Sequence, residues 1–273
     1  MPNALDLDAL AGEMKAAQDA ARQIQPFTAR LPDFDLSAAY KVAHRVHRAR
    51  LKEGATPIGR KIGFTNPGMW SKFGVHDPIW AYVYDTTVVQ LQGTRTTCSL
   101  AKFVEPMIEP EIVLHFRTAP RADARLIDIL NALDWVAHGF EIVQSHFPGW
   151  KFQAPDTVAD GALHAALLIG PPQPLSELGS DPIAALESFS LTLLRDGVRI
   201  EEGNGTNVLG SPLAAMARLL SVLETQTDDA PLTAGEIVTT GTITTAQPVG
   251  VGETWRSELR GIALSGLEVE FAA

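Results

Sequence analysis

Two glutamates separated by a single residue are the first sign of chemistry in this sequence. Glu109 and Glu111 lie in VEPMIEPEIVLHF (104 to 116), a run typical of a β-strand. Side chains two positions apart leave the same face of a strand, with their bases roughly 6 to 7 Å apart. Two carboxylates so close repel each other, and a shared cation removes that repulsion. The spacing therefore fits a metal site, although it also fits a solvated strand face.

Glu141 supplies a third carboxylate within the apolar run HGFEIV (138 to 143). Three carboxylates with no nearby pair of thiolates or imidazoles favour Mg²⁺ or Mn²⁺ over Zn²⁺. About three octahedral positions would then remain for water or for a bidentate ligand, such as the two oxygen groups of a small 2-oxo acid. The alternative is that Glu141 pairs with an arginine or a lysine.

Composition and charge narrow the classes of function. The chain has 273 residues, of which 45% are hydrophobic and 20% charged, as in an ordinary globular protein. Its formal charge of -10 disfavours nucleic acid and anionic membrane surfaces as partners. An acidic enzyme that handles an anionic acid needs a local positive charge, and a bound divalent cation is one source of it.

Targeting and cofactor motifs are not evident. The N-terminal run MPNALDLDALAGEMK lacks the basic and apolar segments of a secretion signal, and no stretch has the ~18 consecutive apolar residues of a membrane span. Cys98 is the only cysteine, which suits a reducing compartment. We therefore expect a soluble, cytoplasmic protein. GNGTNVLG (203 to 210) lacks the third glycine of a dinucleotide loop, so no nucleotide cofactor is expected.

The elements that must position these carboxylates follow from periodicity and turn residues. The spacing of apolar residues predicts helices early in the chain. The residue pattern then changes to short runs typical of β-strands, which glycine and proline interrupt. The predicted helices cover residues 5 to 24, about 35 to 53, 125 to 137 and 212 to 224. The predicted strands cover residues 58 to 65, 82 to 91, 104 to 116, 140 to 145 and 267 to 271, with a hairpin over 188 to 202 that turns at Asp196-Gly197.

This order lacks a regular alternation of strands and helices, so it favours an α+β fold with a rolled or barrel-like sheet. We divide the chain into a helical N-terminal part with lead-in strands, residues 1–88, and a metal-binding catalytic domain, residues 89–273. No internal repeat or long linker separates the two parts, which we expect to fold as one unit.

Six blocks extend this interpretation: GRKIGFT (59 to 65), FGVHDP (73 to 78), IEPEI (108 to 112), FEIVQS (140 to 145), WKFQAPDTVADGA (150 to 162) and VLGSPLAAMARLL (208 to 220). In this order they resemble the 2-keto-4-pentenoate hydratase and 4-oxalocrotonate decarboxylase group of the fumarylacetoacetate hydrolase superfamily. The resemblance implies a mixed β-roll of the fumarylacetoacetate hydrolase C-terminal type with a helical N-terminal part, and homo-oligomers. It also implies an Mg²⁺ or Mn²⁺ site at Glu109, Glu111 and Glu141, with Lys61 facing the substrate.

Two departures from the family pattern concern proton transfer. Ile79 stands where many family hydratases carry an acid, and Gly161 stands where an asparagine often follows Ala-Asp. His76, His138 and Asp156 are the available replacements, and we take His76 and Asp156 as catalytic candidates beside Lys61. Asp156 could instead cap a turn.

The resemblance implies that the cation chelates a 2-hydroxy-2,4-dienoate, that Lys61 assists its tautomerisation, and that water adds to the conjugated double bond. On the same scaffold the alternatives are decarboxylation of a 4-oxalocrotonate-type diacid and C–C hydrolysis of an acylpyruvate. The second alternative needs a histidine base, for which His44, His47 and His76 are available. A non-catalytic subunit that binds a partner pathway enzyme is a further alternative, against which the glutamates and Lys61 argue.

Overall fold

The computed structural model of this chain describes residues 5–226 and 231–273. Along them the helices are α1 (Leu7–Asp19), α2 (Phe27–Arg30), α3 (Leu36–Lys52), α4 (Trp70–Phe73), α5 (Leu126–Ala132), α6 (Ala154–Ala159), α7 (Pro182–Ser188) and α8 (Pro212–Thr225). The strands are β1 (Pro57–Gly63), β2 (Ile79–Tyr84), β3 (Val88–Gln90), β4 (Arg95–Ser99), β5 (Met107–Phe116), β6 (Leu133–Val143), β7 (His164–Ile169), β8 (Gln173–Pro174), β9 (Ser190–Arg195), β10 (Val198–Asn204), β11 (Ile237–Thr242), β12 (Gln247–Pro248), β13 (Thr254–Arg260) and β14 (Glu268–Ala272).

Strands and helices mix around a curled half-barrel sheet, which agrees with the predicted fold class at this level. The sheet has the strand order β2-β1-β11-β5-β6-β7-β3, with β12 added to β5 and β8 added to β6. A second sheet has the order β10-β9-β13-β14-β4. The first sheet contains both parallel pairs, such as β1 with β11, and antiparallel pairs, such as β5 with β6.

The curled sheet has two different faces, because side chains alternate along each strand. One face joins α5, α8 and the second sheet in the main core of the molecule, to which Ile112, Phe140 and Leu220 belong. The other face holds a separate apolar cluster. Its buried members are Val83, Val113, Ala137, Leu167, Ile169 and Ile237.

Helices α1 and α3 begin within two residues of their predicted starts. The Asp6 carboxylate accepts a hydrogen bond from the Ala9 backbone N–H at 3.0 Å, and Asp35 caps α3 in the same way. The first helix ends at Asp19, five residues before the predicted end, since Ala21 has a φ of 45° that a helix cannot continue. These helices pack on α6 in a third apolar cluster.

The predicted helix over 125 to 137 is wrong in its second half. Helix α5 ends at Ala132, and Leu133 opens β6. The apolar spacing continues through Leu133, yet the backbone from there on pairs with β5, where Leu133 is the partner of Phe116. Hydrogen bonds to a neighbouring strand override a local helical pattern. The hairpin prediction is confirmed, because Asp196 and Gly197 have φ values of 51° and 77°, as a type I′ turn requires.

One described run, Gly205–Thr225, is long and apolar enough by length and composition to cross a membrane. Of its most apolar window, 44% is buried, and Leu213, Met216 and Leu220 belong to the main core. A core helix of a globular protein has these same properties.

Candidate metal centre

The pairing of β5 with β6 brings the three glutamates together. Glu109 lies directly opposite Glu141 in the ladder, and Glu111 lies opposite Gly139. One carboxylate oxygen from each glutamate lies within 4.8 Å of the others. Glu111 and Glu141 are fully buried, whereas Glu109 is partly buried. By strand alternation the cluster lies on the same sheet face as Val113 and Ala137, opposite the main core.

Lys61 reaches this cluster from β1. Its register partner on β11 is Thr239, which in turn pairs with Val113 on β5. The Lys61 Nζ atom lies 3.0 Å from Glu141 Oε2, and the lysine is only 3% exposed. The two readings of Glu141 from the sequence, member of a carboxylate cluster and partner of a lysine, thus both describe its position.

Lys61 and Glu141 form a buried ion pair with mutually supporting charges. Burial lowers the pKa of Lys61, but attraction to Glu141, Glu109 and Glu111 outweighs burial and leaves that pKa above its ordinary value. Burial raises the pKa of Glu141, but Lys61 and a hydrogen bond from His164 outweigh it and leave that pKa below its ordinary value. Without a bound cation, Lys61 is therefore an ammonium group at neutral pH.

The other two carboxylates are not compensated. Burial raises the pKa of Glu109 to about 7, assisted by repulsion from Glu141 and opposed by Lys61. Burial and repulsion by Glu141 and Glu109 raise the pKa of Glu111 well above its ordinary value. One ammonium group cannot balance three carboxylates, and a divalent cation would supply the missing charge.

Glu111 provides the clearest test of whether these residues fit a metal ion. Its Oε2 atom accepts a hydrogen bond from the Gly241 backbone N–H at 2.9 Å. Its Oε1 atom is buried, and no hydrogen-bond partner for it lies among the described residues. A buried carboxylate oxygen without a partner is costly unless something binds it, and three carboxylates are the ligands that hard divalent cations prefer. The donor set fits such an ion.

Gly241 is required beside Glu111 for steric reasons. Its φ is +100°, and a Cβ atom there would lie 1.9 Å from Thr65 Oγ1. Only glycine lets the backbone N–H approach the carboxylate in this place.

His164 is a member of the site that the sequence analysis missed. Its Nδ1 atom lies 2.7 Å from Glu141 Oε1, and its Nε2 atom lies 2.8 Å from Thr87 Oγ1. No metal-ligand or catalytic spacing marks this histidine in the sequence. The signal that could have found it was its place in the run DTVADGALHA (156 to 165), close behind a block already singled out.

The other candidate histidines lie elsewhere. His76 is exposed in the loop before β2, where it lines a cavity together with Lys41 and Arg45, and no described hydrogen bond or ion pair joins it to the glutamates. His138 is three residues from Glu141 on the same strand, so it faces the opposite side of the sheet. There it contacts the Glu111 carbonyl oxygen at 2.9 Å and Ser257 Oγ at 2.7 Å, and burial lowers its pKa to about 4.

Asp156 occupies the capping position that the sequence left open as an alternative. It is fully buried at the start of α6 and accepts a hydrogen bond from the Gln153 backbone N–H at 2.9 Å. It also accepts from the Thr28 backbone N–H at 3.0 Å and from Thr28 Oγ1 at 2.5 Å. Its carboxylate thus joins α6 to α2, and no described contact joins it to Lys61 or to the glutamates.

The two departures from the family pattern have different consequences. Gly161 has a φ of +63°, a backbone conformation that glycine and asparagine adopt more readily than other residues, so glycine in place of asparagine keeps the local conformation. Ile79 is 5% exposed and belongs to the apolar cluster of the N-terminal helices, where it packs over Gly63. The position of the family acid is therefore apolar here.

Comparisons with known proteins place this chain in one family. No protein-family model matches it. It is 30% identical to 2-keto-4-pentenoate hydratase 1 of Dechloromonas aromatica, over 94% of this chain and 95% of that protein. Other relatives at 27 to 29% identity are named as hydratases or as 4-oxalocrotonate decarboxylases.

Solved structures agree with this placement. The 4-oxalocrotonate decarboxylase from Pseudomonas putida G7, complexed with magnesium and adipate, superimposes with a TM-score of 0.87 at 26% identity and covers 97% of both chains. Fumarylpyruvate hydrolase from Pseudomonas aeruginosa, in complex with Mn²⁺ and pyruvate, shares the fold with a TM-score of 0.57 at 16% identity, covering 78% of this chain and 88% of that one. The chain belongs to the group of 2-keto-4-pentenoate hydratases and 4-oxalocrotonate decarboxylases.

Proposed function

We propose that this chain is a divalent-metal-dependent hydro-lyase that adds water to a 2-hydroxy-2,4-dienoate in the catabolism of aromatic or cyclic compounds. The observation that carries the proposal is the buried group of Glu109, Glu111, Glu141 and Lys61, in a chain whose relatives are named as hydratases. Under this proposal its sheet is the mixed β-roll of the fumarylacetoacetate hydrolase C-terminal type.

The three glutamates would hold Mg²⁺ or Mn²⁺, since both are hard cations that take oxygen ligands. When bound, such an ion polarises substrate oxygens and stabilises negative charge that develops on them. The chain supplies the remaining machinery. Burial of Glu111 and Glu141 excludes water from the ligands, and the Gly241 N–H fixes the Glu111 carboxylate.

Lys61 acts as the proton donor rather than as a base in this proposal. The raised pKa keeps the Nζ atom protonated before a cation binds, and its position 3.0 Å from Glu141 Oε2 places that proton at the edge of the carboxylate cluster. An ammonium group there can deliver a proton to the carbon skeleton as the dienol becomes the keto form. It can also attract the substrate carboxylate.

Decarboxylation of a 4-oxalocrotonate-type diacid is the second candidate, and the superposition on a decarboxylase favours it. Hydrolysis of an acylpyruvate has less support. His47, one of the histidines considered for that reaction, stacks on Tyr82 at 3.9 Å, and its Nδ1 atom lies 2.9 Å from the Tyr84 hydroxyl. Burial lowers its pKa to about 4, so it is a weak base.

Product mass distinguishes the candidate reactions. The purified chain with Mn²⁺ or Mg²⁺ is incubated with 2-hydroxypenta-2,4-dienoate, and loss of the diene absorbance together with a gain of one water is the expected result. Release of CO₂ from 2-hydroxymuconate or its keto tautomer, without hydration of the dienoate, would replace hydration by decarboxylation. Lack of turnover of either substrate would contradict the proposal.

The role of Lys61 is tested by Lys61→Met, which keeps a long unbranched side chain and removes the ammonium group. It should still bind Mn²⁺, while kcat falls by about two to four orders of magnitude, the range expected for a lost proton donor. A kcat close to that of the wild type would exclude Lys61 from the reaction.

A further inference from the structure

His164 lies at the first position of β7, and its ring is held on both sides. The Nδ1 atom faces Glu141 Oε1 at 2.7 Å, and the Nε2 atom faces Thr87 Oγ1 at 2.8 Å. The side chain is only 6% exposed. With both nitrogens engaged and the side chain buried, the imidazole is held in an orientation in which Nδ1 donates to the glutamate.

The backbone before His164 has an unusual conformation that leads the chain into β7. Gly161, Ala162 and Leu163 have φ values of 63°, 52° and 66°, so three successive residues are in the left-handed region. For residues other than glycine this conformation is unfavourable, and it persists where the surroundings determine it. Here the Leu163 N–H donates to the Asp160 carbonyl oxygen at 3.1 Å, and the Gln144 N–H donates to the Leu163 carbonyl oxygen at 2.9 Å.

The three glutamates differ in how firmly they are held. Glu141 has His164 at one oxygen and Lys61 at the other. Glu111 has the Gly241 N–H at one oxygen. For Glu109 the described residues provide no hydrogen bond. Glu141 is therefore the best-oriented carboxylate of the cluster, and the hydrogen bond from His164 is the contact that orients its Oε1 side.

We propose that His164 is a positioning residue that holds the Glu141 carboxylate in the orientation that receives the divalent cation. Partners that hydrogen-bond to a metal ligand orient it, and their loss weakens metal affinity. The inference rests on the proposed function only in taking Glu141 as a metal ligand, and it does not depend on which reaction follows.

Mn²⁺ binding to the full chain, measured by electron paramagnetic resonance, tests this role without any substrate. The His164→Leu variant fills the space of the ring without a donor, and its Mn²⁺ affinity should fall about 10- to 100-fold. His164→Asn presents an amide N–H near the position of Nδ1, so it should recover most of that loss. Recovery by asparagine would not be expected if the histidine served packing alone.

Two results would overturn the proposal. One is wild-type Mn²⁺ affinity in His164→Leu, and the other is an equal loss in the leucine and asparagine variants. If the leucine variant does not fold, as judged by thermal unfolding in chelator, Thr87→Val keeps the imidazole and removes its outer partner. A measurable loss of affinity in Thr87→Val supports the proposal, and an unchanged affinity contradicts it.

The outcome is separable from the reaction assigned above. Wild-type protein that binds Mn²⁺ but converts no dienoate would remove the proposed reaction and leave the role of His164 intact. If the wild-type protein converts the dienoate and His164→Leu binds Mn²⁺ as tightly as the wild type, the proposed reaction stands and the proposed role of His164 is excluded.

Discussion

Three carboxylates and one ammonium group share one face of the curled sheet, and the protonation of each depends on the groups that contact it. Glu141 has both Lys61 and His164 at its oxygens, so its charge is stabilised. Glu111 has a single backbone N–H and an unpartnered oxygen, so its charge is not. Neutralising the two carboxylates in turn should therefore have opposite effects on stability.

Glu111→Gln should stabilise the metal-free protein, and the gain should be larger at pH 8 than at pH 5. The pKa of Glu111 is raised in the folded state, so its contribution to stability is present at acidic pH and lost as the pH rises towards that pKa. Glutamine does not ionise, so the variant does not lose this stability as the pH rises. Urea unfolding in chelator at pH 5 and pH 8 measures the difference, which should grow with pH.

Glu141→Gln is the matched comparison and should destabilise the protein at both pH values. The pKa of Glu141 is lowered in the folded state, so its contribution is present above the unfolded pKa, and its removal leaves the Lys61 ammonium buried without its nearest partner. Both variants should lose most of the Mn²⁺ affinity. Equal stability changes in the two variants would contradict the assigned charges.

Metal affinity itself should rise as the pH increases through about 7. The pKa of Glu109 is about 7 without a cation, and that of Glu111 is also raised, so binding must displace protons in this range. Isothermal titration calorimetry with Mn²⁺ in two buffers of different ionisation enthalpy measures the protons released. Proton release at pH 6.5 should exceed that at pH 8.5, and identical heats in both buffers at pH 6.5 would refute the prediction.

Single elements carry the geometry of the site. Strands β5 and β6 pair without a shift from Met107 to His115, and this register sets Glu109 opposite Glu141. A slip of one residue would turn every side chain of one strand to the other face. Helix α6 and the turn after it hold the loop that leads to His164, and Asp156 ties the start of this helix to α2.

The capping role of Asp156 predicts a loss of stability with little loss of turnover. Asp156→Ala removes the carboxylate that accepts hydrogen bonds from the Thr28 backbone N–H, the Thr28 hydroxyl and the Gln153 backbone N–H. Unsatisfied buried donors cost about 1–3 kcal/mol, so the urea midpoint should fall, while kcat of the folded protein stays within a few-fold of the wild type. A fall in kcat of about two orders of magnitude at unchanged stability would restore the catalytic hypothesis for Asp156.

At the scale of the whole molecule, the division at residue 88 separates parts that share a core. Phe147, Val158 and Ala162 from the second part pack in one cluster with the N-terminal helices. Strand β1 of the first part lies within the curled sheet beside β11 of the second part. The two-part division stays a prediction, as do homo-oligomers, association with a partner enzyme and a cytoplasmic location.

A fragment of residues 89–273 should not unfold cooperatively, and the full chain should unfold in one transition. The fragment lacks β1 and β2, so β11 loses its parallel partner, and Phe147 and Val158 lose the helices that cover them. Urea titrations followed by circular dichroism and by tryptophan fluorescence measure this. Two separated transitions in the full chain, or a cooperative one in the fragment, would show independent domains.

The sequence by itself determined the features that depend on a few neighbouring residues. Caps at Asp6 and Asp35, the Asp196-Gly197 hairpin and the helix that starts after Ser211 follow from local backbone chemistry. The alternation that puts Glu109 and Glu111 on one face is likewise local. The six motif blocks in their order also indicated the family, and the relatives confirm it.

Only the tertiary structure decided which distant residues meet. Three strands carry Lys61, Glu141 and His164, and the order and register of these strands bring the side chains together. No short stretch of sequence encodes strand order or register. The same non-local pairing turned the second half of a predicted helix into β6 and turned His138 away from the glutamates. Sequence patterns report the local preference of neighbouring residues for helix or strand. A site of this kind depends on contacts between segments far apart in the chain, and the energies of these contacts exceed the local preferences.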